Sequence, residues 1–253
     1  MHGLGNDYIV VDDRAESMDE KRLPTLAKRL CRRNFAVGAD GLIVVRNSRS
    51  ADVRMRIFNA DGSEAEMCGN GIRCVAKYCY DTKIIERKVI SVETLAGIRR
   101  VEVLTEGKSV ANVRVDMGAP SFRREDVPMV GQGECVDELI WVLGKEFRVT
   151  CLSMGNPHCV TFVDDVESYP VSEVGSQLEK HPYFPEGTNV EFVFVQGQGE
   201  IRLRTWERGV GETSACGTGA CASVAAAHRL GKTGSRVKVN LLGGNLLVGL
   251  GAT

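Results

Sequence analysis

The chain has 253 residues, 43% of them hydrophobic and 26% charged, and its 32 basic and 33 acidic residues leave a formal net charge of −1. That balance excludes a disordered polyampholyte and a basic nucleic-acid binder, and no basic stripe stands apart from the acidic residues. No stretch offers the roughly 18 to 20 apolar residues of a bilayer span, and the opening residues carry no secretory pattern, so a cytoplasmic protein with small-molecule partners is expected, without nucleic acid or membrane.

A Gly-Asn turn precedes a strand at 8–12. Residues 23–33 read as a basic amphipathic helix with Leu23, Leu26, Ala27 and Leu30 on one face. Strands follow at 41–46 and 53–58, the second alternating Val53, Met55 and Ile57 with arginines. A turn at 59–63 leads to Cys68-Gly69-Asn70-Gly71 and a helix over 72–80, then to strands at 89–95, 98–104 and 110–117. The Pro- and Gly-containing stretch 120–135 is poorly patterned and reads as a crossover between halves. Beyond it, the turn Gly155-Asn156-Pro157-His158 precedes an apolar strand at 159–164, a helix at 170–180 and strands at 189–195 and 200–206. A turn with Gly209 and Gly211 then reaches Cys216-Gly217-Thr218-Gly219, an Ala-rich helix over 220–230, and strands at 235–240 and 245–249.

The order repeats. Asn6 and Asn156, like Cys68 and Cys216, stand about 150 positions apart, which suggests two pseudo-symmetric halves. The expected domains are 1–118, with Cys68 at a helix start, and 119–253, with Cys216 at a helix start; the last strand is left free to return to the first domain. The nine cysteines are an odd number without a secretory signal, which argues against a disulfide scaffold. They include no C-x2-C pair, and no metal site is expected.

The two cysteine–glycine turns are the sharpest local features. In each, a helix begins beside a cysteine and two glycines that flank a small polar residue. The first helical turn leaves N–H groups without intrahelical acceptors, so such a nest favours a carboxylate or phosphate and is expected to lower the pKa of an adjacent thiol. Each cysteine taken alone is as well explained by packing beside a helix cap; the matched pair is not. Two thiols on opposite sides of one carbon suit inversion of a stereocentre, one removing a proton and the other delivering one. His158 and Glu207 are placed to tune a cysteine, and Arg208 to bind a carboxylate bidentately, through two of its guanidinium nitrogens. Asn6, Asn59, Asn156 and Asn189 lie in or beside glycine turns and suit an amino acid's ammonium and carboxylate, although each also serves as a turn former. His2, His181 and His228 read as structural. A Cys–His protease would leave the second cysteine unexplained.

The stretches MHGLGNDYIVVD (1–12), FNADGSEAEMCGNGIRC (58–74), SMGNPHCV (153–160), GTNVEF (187–192) and WERGVGETSACGTGACA (206–222) make the chain resemble the diaminopimelate epimerase family. The resemblance implies an α/β (α+β) fold of two domains, each a mixed sheet curled around a central helix. It implies a homodimeric isomerase of lysine and peptidoglycan precursor biosynthesis that needs neither pyridoxal phosphate nor metal, and converts LL-2,6-diaminoheptanedioate to the meso form. By the same resemblance Cys68 and Cys216 are the acid/base pair, and His158 and Glu207 assist them. Asn6, Asn59, Asn156, Asn189, Glu207 and Arg208 would hold the substrate, and Gly69-Asn70 and Gly217-Thr218 would form the backbone cradles. Some members carry a glutamine where this chain has Gly41, so no contact is assigned there. Two rivals are a proline or hydroxyproline racemase, disfavoured by Arg208 and GNDYIVVD, and a non-catalytic protein using the same nests to hold an anion.

Overall fold

The computed structural model describes residues 1–107 and 109–251, and the chain divides into two units, Met1–Met117 and Gly118–Thr253. In the first, β1 (His2–Gly3) and β2 (Asn6–Asp12) precede α1 (Leu23–Leu30), β3 (Gly41–Arg46), β4 (Val53–Asn59) and β5 (Glu64–Ala65). Then come α2 (Gly69–Asp81), β6 (Val89–Thr94), β7 (Gly97–Glu106) and β8 (Ser109–Val115). The sheet order is β1-β2-β3-β4-β6-β7-β8, with β5 added to β4. β2 runs parallel to β3 and β4 parallel to β6; the other neighbours are antiparallel.

β3 is buried at every position because helices cover both of its faces. Leu42 and Val44 pack with Leu23 and Ala27 of α1, while Ile43 and Val45 pack with Ile72, Val75 and Ala76 of α2. Helix α2 meets β1 and β2 near one end of the sheet order and β7 and β8 at the other, so the sheet curls around it. Pro24 in the first turn of α1 suits a helix start. This helix closes at Leu30, short of the expected end, because the chain turns back and the Gly38 N–H bonds the Leu30 carbonyl.

The second unit repeats the plan. β9 (Cys135–Val142), β10 (Lys145–Ser153) and β11 (Pro157–Phe162) lead to α3 (Val171–Glu179), β12 (Asn189–Gly197), β13 (Glu200–Glu207) and β14 (Gly211–Thr213). α4 (Gly217–Arg229), β15 (Arg236–Leu241) and β16 (Gly244–Gly249) complete it. The sheet order is β16-β15-β13-β12-β11-β10-β9, with β14 on β13. The parallel pairs are β11 with β12 and β13 with β15, so each unit has parallel, antiparallel and parallel steps in the same succession. Alanines fill the central helix, burying Ala220, Ala222, Ala225, Ala226 and Ala227 where it packs on β10–β13 and β16.

Three local expectations change. The hairpin β9–β10 was not assigned from sequence: Leu139 and Trp141 are exposed, Asp137 has φ 54°, and the register shifts between Val149 and Cys151, which together obscure the period of two. Pro157 and His158 belong to β11 rather than to a preceding turn. The last described strand, β16, pairs with β15 in the second sheet and does not return to the first. Among the described residues no helix is long and apolar enough to cross a membrane.

Candidate active site

Both central helices begin three residues earlier than the hydrophobic period indicates, because a cysteine caps each one. Cys68 is extended at φ −141° and ψ 122°, and its Sγ accepts the Gly71 N–H at 3.4 Å. Cys216 is extended at φ −117° and ψ 115°, and its Sγ accepts the Gly219 N–H at 3.3 Å. Gly69-Asn70 and Gly217-Thr218 therefore form the first helical turns, where backbone N–H groups lack intrahelical acceptors. A Cβ on Gly71 would lie 3.1 Å from both Ile43 Cδ1 and Ile57 Cδ1, so glycine lets α2 seat closely on β3 and β4.

In the first unit a polar chain surrounds the half-buried Cys68. The Tyr8 hydroxyl donates to Asn6 Oδ1 at 2.6 Å and lies 2.9 Å from Cys68 Sγ. With that one hydrogen committed to Asn6, the phenol oxygen is left as an acceptor toward Cys68 Sγ. Burial and the neighbouring Cys68 hold the Tyr8 phenol above its ordinary range, so it keeps its proton. Asn70 Nδ2 also donates to Asn6 Oδ1, at 3.2 Å, while Asn6 Nδ2 donates to Asp40 Oδ2 at 2.9 Å. Arg33 fixes Asp40 and Asp7 together, with N–O distances of 2.6 Å to each. The structure thus joins Asn6, Cys68 and Asn70. Asn59 stands opposite Gly41 in the β3–β4 register, is exposed, and donates to Ser63 Oγ at 2.9 Å within its own turn.

The second unit builds a drier site. Cys216 is only 6% exposed. Thr218 Oγ1 lies 3.4 Å from its sulfur and receives Asn156 Nδ2 at 3.5 Å. Asn156 Oδ1 lies 3.0 Å from His158 Nε2, and His158 Nδ1 lies 2.8 Å from Glu191 Oε1. Thr213 Oγ1 donates to the Glu207 carboxylate. Burial, against the pull of the Thr213 bond and His158, holds the Glu207 carboxyl above the usual carboxylate range, and the charge of Glu191 adds to the rise. The expected lowering of the thiol pKa is reversed at Cys216. Burial first, then the Glu207 and Glu191 charges, push it well above the ordinary thiol value, outweighing the Thr218 and Gly219 hydrogen bonds.

Asn189 and Arg208 come together differently. Asn189 Nδ2 donates to the Pro157 carbonyl at 2.8 Å and its Oδ1 accepts the Arg208 N–H at 2.9 Å, so its amide ties β11 to the turn after β13. Arg208 is exposed and donates to the Glu186 carbonyl at 3.1 Å. Glu179 supports this turn by accepting from Trp206 Nε1 at 2.7 Å and from the Gly209 N–H at 2.9 Å.

Sequence reasoning passed over Tyr8, Glu179, Glu191 and Thr213. The signal for two of them was period two: Tyr8 shares a strand face with Asn6, and Glu191, the one carboxylate in its strand, shares a face with Asn189. Cys68 and Cys216 are both free thiols. Among the described residues, no three His, Cys, Asp or Glu side chains are grouped to hold a metal ion.

The family model for diaminopimelate epimerase matches residues 1–123 and 150–252. The chain belongs to the diaminopimelate epimerase family. A diaminopimelate epimerase of Moorella thermoacetica is 55% identical over 249 residues, covering 98% of this chain and 89% of the relative. One from Methanothermobacter thermautotrophicus is 50% identical over 251 residues, covering 98% and 88%. Among solved structures, a probable proline racemase from Agrobacterium radiobacter K84 gives a TM-score of 0.68 at 22% identity, covering 93% of this chain and 74% of that one. A PhzF-family phenazine biosynthesis protein from Bacillus anthracis gives 0.69 at 18% identity, covering 98% and 85%. These structural likenesses show the chain's fold alone, two curled mixed α/β sheets. Membership of the diaminopimelate epimerase family makes it an isomerase.

Proposed function

We propose that the chain interconverts LL- and meso-2,6-diaminoheptanedioate by a two-base mechanism in which Cys68 and Cys216 act on opposite faces of one α-carbon. The observation that carries this reading is the pair of free thiols capping equivalent helices in two units of the same topology. One cysteine, as thiolate, takes the α-proton; the bonding pair passes into an enolate-like carboxylate; the other thiol returns a proton on the far face. No atom is gained or lost, and the two sulfurs finish with their protonation states exchanged. The helix N-termini stabilise the charge as it develops.

Asn6 and Asn70 hold the substrate beside Cys68, with Asn59 at the edge. Asn156, Thr218 and Gly217 do so beside Cys216, while His158 and Glu207 set the electrostatics behind that thiol. Arg208, held by Asn189, clamps the distal carboxylate, because only one of the two stereocentres is inverted. The enzyme works in the cytoplasm as a homodimer, in lysine biosynthesis, and calls on no pyridoxal phosphate or metal. A reducing compartment follows from the need for two free thiols.

Solvent-deuterium incorporation at the α-carbon of LL- or meso-diaminopimelate tests the reading. Incorporation with inversion by the reduced protein is expected; none at any pH from about 6 to 9 would reject it in favour of anion binding alone. Racemisation of proline without action on diaminopimelate would move the assignment to the rival racemase.

A further inference from the structure

We propose that Glu191 is a positioning residue for the chemistry at Cys216: it orients the ring of His158 and shares one proton with it. The inference rests on the reading of Cys216 as an acid/base group.

Hydrogen-bond accounting leads to it. Asn156 gives its Nδ2 to Thr218 Oγ1, so the atom it turns to His158 Nε2, at 3.0 Å, is its amide oxygen. An amide oxygen only accepts, and Nε2 must therefore carry a hydrogen. The other ring nitrogen also faces an oxygen, Glu191 Oε1 at 2.8 Å. One proton must lie between them, either on an imidazolium facing a carboxylate or on a carboxylic acid facing a neutral imidazole. The pair is electrically neutral in both forms. Both side chains are 0% exposed, and Glu191 Oε2 has no hydrogen-bond partner, so no water-facing surface competes for the proton.

The backbone makes room for this arrangement. A Cβ on Gly219 would stand 2.7 Å from Glu191 Oε1 and 3.3 Å from Cys216 Sγ. Glycine at the third position of α4 thus lets the carboxyl group reach the helix start beside the thiol. The groups that face this cluster are His158 from β11, Glu207 from β13, Cys216 capping α4, Thr218 in its first turn, and Asn156 from the turn before β11. Without Glu191 the ring loses its second anchor, and the cluster loses the neutral pair that adjoins two groups whose charges repel, Glu207 and the Cys216 thiolate.

The test uses the full-length reduced protein labelled with ¹⁵N-histidine, whose four histidines are assigned with a His158→Gln variant. In the parent, His158 Nε2 should carry a hydrogen, with Nδ1 at a shift between the protonated and bare values. In Glu191→Gln the Nδ1 signal should move to that of a bare nitrogen accepting a hydrogen bond. Its kcat should fall about 10- to 100-fold with KM within about twofold, and Glu191→Asp should recover part of the loss. A bare Nε2 in the parent, or parent kcat in Glu191→Gln, overturns the proposal. If the parent shows no exchange on diaminopimelate, the proposed function fails, while the ring signals still decide the shared proton.

Discussion

Cys68 and Cys216 have the same backbone role and different surroundings. One is half-buried beside a phenol; the other is buried against two carboxyl groups. If the proposed two-base mechanism holds, Cys68→Ala or Cys216→Ala should reduce epimerisation to background, since each would leave one face without a proton carrier, whereas Cys31→Ala should keep nearly parental turnover. Epimerisation by Cys68→Ala at the parent rate would defeat the two-base mechanism. Glu207 supplies a pH prediction. Burial raises its folded-state pKa above that of the unfolded chain, so its contribution to stability is most favourable below the unfolded value and is lost as pH rises through the folded one. Glu207→Gln should therefore unfold at a higher denaturant concentration than the parent at pH 8, with the gap shrinking toward pH 4. A gap that widened on acidification would contradict the assignment. Cys68, Cys216 and Asn6 were legible because sequence states residue types at fixed spacings. The tie between Asn189 and the Arg208 backbone was not, because it depends on how a parallel strand pair places one amide against a distant turn.

At the scale of elements, polar anchors pin strands that apolar packing alone would let slide. Arg46, at the end of β3, donates through Nε to Asp13 Oδ2 at 2.9 Å and through Nη2 to the Met18 carbonyl at 2.7 Å, and both charged side chains are buried. Burial pushes the Asp13 carboxyl up, but Arg46, Ser17 and the Met18 N–H together hold it below the usual range. Arg46→Ala leaves that carboxylate without its counter-charge and should destabilise the first unit by about 3 kcal/mol, measured by chemical denaturation. A loss under about 1 kcal/mol would mean that water reaches Asp13. The central helices were read from sequence three residues short at their starts. Periodicity registers apolar residues packed on a sheet, whereas these first turns consist of glycines and small polar residues placed by a capping sulfur.

For the whole molecule, each unit has its own hydrophobic clusters. Both tryptophans, Trp141 and Trp206, belong to the second unit, so tryptophan fluorescence reports its unfolding and far-UV circular dichroism reports both. Ile72 is fully buried in the first unit, and Ile72→Ala should cost about 2–5 kcal/mol there. The dichroism midpoint should shift more than the fluorescence midpoint; equal shifts would show that the units unfold as one. The doubled architecture was legible in the recurrence of motifs along the chain, while the β9–β10 hairpin escaped because its exposed Leu139 and Trp141 imitate buried positions.

The capping thiols carry a last consequence. Serine, threonine, aspartate or asparagine at a helix N-cap typically contributes about 1 kcal/mol through a short oxygen bond, whereas these sulfurs meet their glycine N–H groups at 3.4 and 3.3 Å. Serine at either position would tighten a helix start and discard a thiol that the proposed mechanism uses to carry a proton. A library screened for heat tolerance alone would drift toward serine at 68 and 216 and become silent, so engineering of this scaffold has to select turnover and robustness together.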